Sequence, residues 1–569
     1  MKAFFAKMEV GVRMLLVLGI LVFLNILASL FNFSVDLSED RRFSLTPATV
    51  HTIQTINDNI YIKVLLDGEF PAGFKRLRQG VNDLLFQYKK RNGFVSFEFE
   101  NPNEGSVEEI NKRRESLSKD GLVPINLQVR SGTEKNEQLI YPYAIFNYGE
   151  RKIAVSLLEN VPELDQEENL NNSISQLEYK FSNAIDKLLH PDKKNVLLTS
   201  ANGELPTEET KAIETMLRPF YNVGRIQLDS VYQIKKETDV VLVIKPIKPF
   251  SERSKFILDQ YIMNGGKMMW FIDALKMSLD SLASRAEFIP EPLDLNLGDQ
   301  LFKYGVRIES NMVLDMECSR IPQVIGKIGD KPQIELFPWY YFPIPAPRTN
   351  HPIVNNIDRI LMDFPASIDT LKTKQFVRKI PLIVSSNYSR FQLAPAKVSF
   401  DILRYKPEPD KFNKPNLIMG VLLEGTFNSC FENRVEESML QSLKSIQADF
   451  KSNSPETKMI VVADGDLVKS FYDFNTNKFS TIGYSKFEKT AYNGNKEFFL
   501  NAMEYLTNKE NILEARSKQY KIRLLNQVKI DEERSFWQIL NLGLPLLLIV
   551  LFGFLNTYWR KKRYTKNNS

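Results

Sequence analysis

The sequence predicts an α/β protein: two extracytoplasmic α/β domains, the second doubly wound, lying between N- and C-terminal transmembrane helices. Three observations carry that expectation. Phe536 to Trp559 holds no charged residue, and at helical rise Phe536 to Tyr558 reaches roughly 34 Å, enough to cross a bilayer core of about 30 Å. Met14 to Phe33 is a second apolar run, preceded by Lys2, Lys7 and Arg13. Between them, short all-apolar strand patterns alternate with helical ones, as in a sheet covered on both faces.

The two ends set a topology. Arg560-Lys561-Lys562-Arg563 and Lys566 follow the last span. Basic flanks resist translocation, so both short tails are expected in the cytoplasm. The first span also admits a cleaved signal peptide, against which stand its length and the lack of a small-x-small closing site. A buried core helix is the alternative for the last. With two spans in a bacterial inner membrane, residues 34–535 lie in the periplasm. Asn25, Gln538 and Asn541 are polar groups within or beside the spans, suited to contacts with neighbouring membrane helices.

Charge excludes one class of function. The net +5 divides into +2 at residues 1–13, +5 at 560–569 and −2 over the remainder. The outer portion therefore lacks the basic footprint of a nucleic-acid binder. Cys318 and Cys430 are the two cysteines, which either pair in an oxidising compartment or stay as core thiols. His51, His190 and His351 have no partner at metal-ligand spacing, and no metal or other cofactor is expected.

In chain order, Arg41-Arg42 lies in a membrane-proximal stretch, either a salt-bridged linker or a partner contact. Thr46 and Pro47 suit the N-cap and first position of a helix. Residues 60–66 alternate as a strand, 74–91 follow a helical period through Leu77, Val81, Leu84, Leu85 and Tyr88, and 95–100 alternate again. That is a β-α-β unit with a parallel pair. Strands are expected at 127–129, 141–148 and 151–157, an acidic linker at 159–172 and a helix at 174–189.

A second α/β unit begins at Lys194. It reads as a strand at 196–198, a helix at 207–217 capped by Thr207, and a strand at 240–244. A helix from Ser251 to Tyr261 follows, stopped by Gly265-Gly266, then a strand at 268–272. Residues 274–399 are proline-rich and less regular. Within them FPWYYFPIPAPR (337–348) forms an aromatic plug on the sheet or an exposed partner groove. Strands at 417–423 and 458–463, a helix at 495–506 and an amphipathic stalk at 512–530 complete the pattern. The expected division is tail 1–13, span 14–33, first α/β domain 34–160, linker 161–193, second α/β domain 194–508, stalk 509–535, span 536–559 and tail 560–569.

Ligands of doubly wound sheets bind beyond the C-terminal ends of strands. This marks Asn202, Glu204 and Asp273 as candidate contacts for a ligand or partner. Asp464 and Asp466 form either a helix-capping turn or a cation site. Gly265-Gly266-Lys267-Met268 lacks the hydroxyl of a phosphate loop and precedes a strand, so it reads as a helix end. There is no Gly-x-Ser-x-Gly elbow, and neither cysteine has a histidine nearby in sequence. No enzymatic activity is expected.

Several motifs in order carry a resemblance: DLSEDRRFSLT, LTSANGELP, DVVLVIKPIKPFSERSKFILDQYIMNGGKMMWFID, LLEGTFNSCFENR, VVADGDLV and NGNKEFFLNAMEYLT. With the final RLLN, the span holding Asn541 and Pro545 and the basic tail, they run along nearly the whole chain. Together they resemble the gliding-motility-associated ABC transporter components of the GldG family. The resemblance implies an extracytoplasmic auxiliary or substrate-binding subunit of gliding bacteria. Its partners would be a membrane permease and, indirectly, a cytoplasmic ATPase, with an envelope protein or small ligand outside. It also implies a middle region similar to glutamine-amidotransferase-like and intraflagellar-transport-type α/β domains, without the Cys/His pair of the former. The alternative role is a periplasmic sugar- or peptide-binding module at the strand ends.

Overall fold

The computed structural model describes residues 16–23, 44–158, 166–507, 515 and 527–565, apart from 132–133, 283–286, 405–406, 436, 446–448 and 474–477. Thr46 caps α1 (Pro47–Gln54) as expected, its hydroxyl accepting the Thr49 N–H at 3.3 Å. β1 (Ile60–Val64), α2 (Ala72–Arg91) and β2 (Val95–Phe99) form the β-α-β unit, with β1 and β2 parallel. The sequence reading contains no helix over Val107–Lys119, yet α3 forms there. Ser106 and Glu109 close a capping box at its start, satisfying two otherwise unpaired backbone donors.

β3 (Ile125–Ser131) and β4 (Glu134–Ile140) make a hairpin, and β5 (Tyr143–Tyr148) and β6 (Arg151–Ser156) complete a four-stranded sheet ordered β2-β1-β5-β6. α4 (Gln166–Leu189) begins inside the stretch expected as an acidic linker. Leu170, Leu177, Phe181, Ile185 and Leu188 recur at helical spacing and bury against α2 and the sheet; Glu178 between them is also buried and accepts the Thr46 N–H at 2.6 Å.

The second sheet has seven strands. β7 (Lys194–Ser200), α5 (Lys211–Leu217), β8 (Tyr221–Gln227), β9 (Thr238–Ile244), α6 (Glu252–Met263) and β10 (Lys267–Phe271) follow the expected alternation. α5 starts later than expected. Residues 207–210 are turns in which the Glu209 and Thr210 N–H groups donate to the Pro206 carbonyl, so Thr210 and not Thr207 precedes the helix. Ser251 caps α6, and Gly265 ends it at φ +89°, a conformation that favours glycine.

The region expected as irregular contains a long antiparallel ribbon, β11 (Cys318–Ile328) with β12 (Lys331–Pro343). The aromatic stretch at its base is a buried plug, in a cluster of its own and not on the large sheet: Trp339, Tyr340, Tyr341 and Phe342 pack with Phe412 and Val398. β13 (Val377–Val384), β14 (Ile418–Gly425) and β15 (Thr457–Val462) then join the large sheet.

The strand order is β13-β14-β15-β10-β9-β7-β8. Five strands, β15 to β8, are parallel; β14 and β13 add antiparallel pairs at one edge. Successive strand residues enter opposite faces. Val240, Leu242, Ile244, Met269 and Phe271 pack with α5 and α7 (Asn493–Thr507), while Val241, Val243, Met268 and Trp270 pack with α6. Covering both faces with helices is why these strands read as unbroken apolar runs.

Residues 520–569 form a separate compact unit. Its helix α8 (Gln527–Thr565) contains Glu533–Lys562, a thirty-residue segment whose most apolar 18-residue window has a mean hydropathy of 2.2 and none of its residues buried. At about 1.5 Å per residue that segment is longer than a bilayer core. It is the one helix among the described residues long and apolar enough to cross a membrane. Of the expected first span, 16–23 are helical and exposed; the rest, with Asn25, lies outside the described residues, as do most of the stalk and both Arg41 and Arg42.

Candidate functional site

The loops after β7, β9, β10 and β15, four neighbouring parallel strands, converge at the C-terminal edge of the large sheet. This is where the sheet's strand order reverses, between β7 and β9. After β7, Asn202 is buried: its carbonyl accepts the Ile247 and Lys248 N–H groups, and its side-chain amide donates to Pro249 at 3.0 Å. Glu204 turns back to accept the Asn202 N–H at 2.6 Å. Asn202 and Glu204 thus tie the post-β7 loop to the post-β9 loop. One oxygen of each, Asn202 Oδ1 and Glu204 Oε1, is buried without a protein partner.

Asp273, directly after β10, belongs to a different group. Its Oδ1 accepts the Gly465 N–H at 2.5 Å, and its Oδ2 lies 3.2 Å from Lys245 Nζ. Lys245 also pairs with Asp466. The Asp466 N–H donates to Asp464 Oδ1 at 2.8 Å, the turn expected of Asp464-Gly465-Asp466, and the Asp363 N–H donates to Asp464 Oδ2 at 2.9 Å. Lys469 closes the ring, 3.8 Å from Asp466 and 3.1 Å from Glu209. Gly465 is required by close approach, because a Cβ there would stand 2.7 Å from Lys245 Cβ.

Four aspartates around one half-buried lysine cannot all be comfortable as anions. Burial pushes the Asp464 carboxyl up, reinforced by Asp466 and Asp273. Burial likewise raises Asp273, with Lys245 opposing. Asp363 rises to about 7 through burial and the Asp466 charge. For Lys245, burial acts to lower the pKa, but Asp273 and Asp466 overcome it and keep the ammonium charged. One carboxylate oxygen from each of Asp273, Asp464 and Asp466 lies within 4.8 Å of the others. That geometry suits a hard cation in principle, but the Lys245 ammonium already supplies positive charge there.

Sequence reasoning placed Asp273, Asp464 and Asp466 correctly at strand ends. It missed Lys245 and Asp363, which carry no motif. The other chemistry-bearing residues lie apart. Cys318 and Cys430 are free thiols; burial pushes Cys318 up to about 12 and raises Cys430 as well. His351 packs edge-on against Tyr505 at 4.9 Å, and burial lowers it to about 4. Gln538 and Asn541 are exposed on α8.

A doubly covered α/β sheet with a charged strand-end crevice, in a chain that also bears a membrane-length apolar helix, defines a membrane-associated α/β protein. Residues 193–502, more than half of the chain, match the family described as ABC-type uncharacterized transport system, and the chain belongs to that family of ABC transporter auxiliary components. Residues 39–147 match a domain of unknown function, DUF7088. An uncharacterized protein of Borreliella burgdorferi (strain ATCC 35210 / DSM 4680 / CIP 102532 / B31) is 21% identical over 555 residues, covering 95% of this chain and 96% of that protein. Among solved structures, the mmIFT52 N-terminal domain aligns at a TM-score of 0.31 and 10% identity, over 55% of this chain and 97% of that one.

Proposed function

We propose that this chain is a non-enzymatic, membrane-anchored auxiliary subunit of an ABC-type transporter linked to gliding motility. It works with a separate permease and ATPase and holds its α/β portion in the periplasm. The carrying observation is Glu533–Lys562, a wholly exposed apolar helix ending in a basic cluster, in a member of an ABC transport family. The basic flank favours a cytoplasmic C-terminus, and the gliding-motility motifs favour the same two-span arrangement with both termini inside.

Two measurements test this. A reporter active only in the cytoplasm, fused after Ser569, is expected to be active; activity of a periplasm-only reporter there refutes the topology. Full-length chain purified from native membranes is expected to bring down a multispan permease. Recovery without any membrane protein partner refutes the subunit role. The strand-end crevice supports a second reading, a periplasmic sugar- or peptide-binding module at Asn202, Glu204 and Asp273. The unpartnered oxygens of Asn202 and Glu204 are the observation in its favour.

A further inference from the structure

A cavity of about 340 Å³ opens on the opposite side of the large sheet from that crevice, where α4 meets the N-terminal ends of β7 and β8 and the end of α7. Its size falls at the small end of the range that holds metabolites. The lining carries both signs of charge. Asp186, on the last turn of α4, faces it with Asp192 and Glu504; Lys187 faces it from α4 and Lys194 from the start of β7, and Phe220 and Tyr221 form an aromatic wall.

These groups are held in place from outside the cavity. Glu504 is buried and accepts from Tyr179 Oη at 2.6 Å and from the Asn183 amide, fixing α4 to α7. Asp186 Oδ1 is 2.9 Å from His190 Nδ1. The Tyr221 hydroxyl lies 3.1 Å from Thr507 Oγ1, and the Lys187 ammonium sits 4.1 Å above the Phe220 ring. Burial, opposed by the Thr507 hydrogen bond and reinforced by the charges of Glu504, Asp239 and Asp186, raises the Tyr221 phenol; Glu504 is buried, while Lys194 is exposed at the start of β7.

We propose that this cavity binds a small zwitterion, an α-amino acid or the like. Its ammonium is received by Asp186 and Glu504, its carboxylate by Lys194, and its side chain lies against Phe220 and Tyr221. An ionised carboxylate has about four acceptor positions, so Glu504 retains capacity beyond its two donors. A lone amine would make no use of Lys194, and a lone carboxylic acid would meet the Asp186 and Glu504 carboxylates. A ligand carrying both charges engages the whole lining.

The test is calorimetric titration of the detergent-solubilised full chain with a panel of amino acids, each beside its decarboxylated amine and its N-acetyl derivative. At least one amino acid is expected to bind, with both derivatives at least tenfold weaker. Asp186→Asn and Lys194→Gln are each expected to weaken that amino acid about tenfold, and Asp449→Asn, in a separate cavity lined by Gln260 and Lys451, to leave it unchanged. No binding by any amino acid at millimolar concentration overturns the proposal. So does equal binding of an amine or N-acetyl form, or an unchanged affinity in both variants. Should Asp186→Asn fail to fold, Lys194→Gln, at an exposed strand start, still decides the matter.

Discussion

Asp363 offers the most direct probe of the strand-end cluster. Its carboxyl is raised from 3.8 to about 7, so the folded state holds that proton more tightly than the unfolded chain does. Stability from this group is present in full below the unfolded value near pH 4 and is lost as pH rises through about 7. Three pH units at about 1.4 kcal/mol each set a ceiling of roughly 4 kcal/mol. The side chain is only partly buried and shares its charge with Asp464 and Asp466, so about 2 kcal/mol is the lower bound we expect. Asp363→Asn keeps the backbone N–H that Asp464 accepts. It should stabilise the large α/β portion by about 2–4 kcal/mol at pH 8, with little effect at pH 4. Urea unfolding followed by fluorescence of buried Trp270 and Trp339 reads this, with both proteins compared at each pH. A variant no more stable than the parent at pH 8 would show that Asp363 carries no buried, unfavourable charge.

The other side of the cluster responds oppositely. Lys245→Met removes the one ammonium paired with both Asp273 and Asp466. It should cost about 3–5 kcal/mol at pH 8 and progressively less as the pH falls, because burial raises the Asp273 carboxyl and eases its protonation; a loss that does not change with pH would contradict the pairing. Trp339→Ala, in the aromatic plug, should cost about 3–5 kcal/mol, whereas Val324→Asn, 65% exposed on the β11–β12 ribbon, should stay within about 0.5 kcal/mol. Matching losses in urea would show that the plug is not core.

Legibility in the sequence followed burial. Strands β7, β9, β10, β14 and β15 are readable as short apolar runs, told from buried helix segments by their length and by the turn residues that bound them. α4 was half readable: Leu177, Phe181, Ile185 and Leu188 mark its period, but its first two turns present mostly Glu and Asn, and a polar helical face looks like a linker in one dimension. The β11–β12 ribbon was unreadable because its outer half is exposed on both faces, so Val324, Ile334 and Leu336 alternate with nothing that requires a core. At the site, Asp273, Asp464 and Asp466 announce themselves by following apolar strands. Lys245 does not, since a lysine after a strand is ordinarily solvent-facing. Only the fold, by bringing the β9, β10 and β15 ends side by side, makes it the counterion of three carboxylates.

The junction between the two sheets is built differently from either core. α4 contributes apolar residues to the small sheet's core, but it reaches α7 through polar groups: Tyr179 and Asn183 on one side, Glu504 on the other. Polar junctions resemble transient interfaces and permit relative motion of the bodies they join. If the contact holds the sheets together through the Glu504 charge, a double-mutant cycle between Tyr179→Phe and Glu504→Gln should return a coupling of about 1.5–3 kcal/mol, the worth of a hydrogen bond to a charged group. A coupling near zero would mean that the Tyr179–Glu504 hydrogen bond does not help to join the two sheets, leaving Asn183 as the donor from α4.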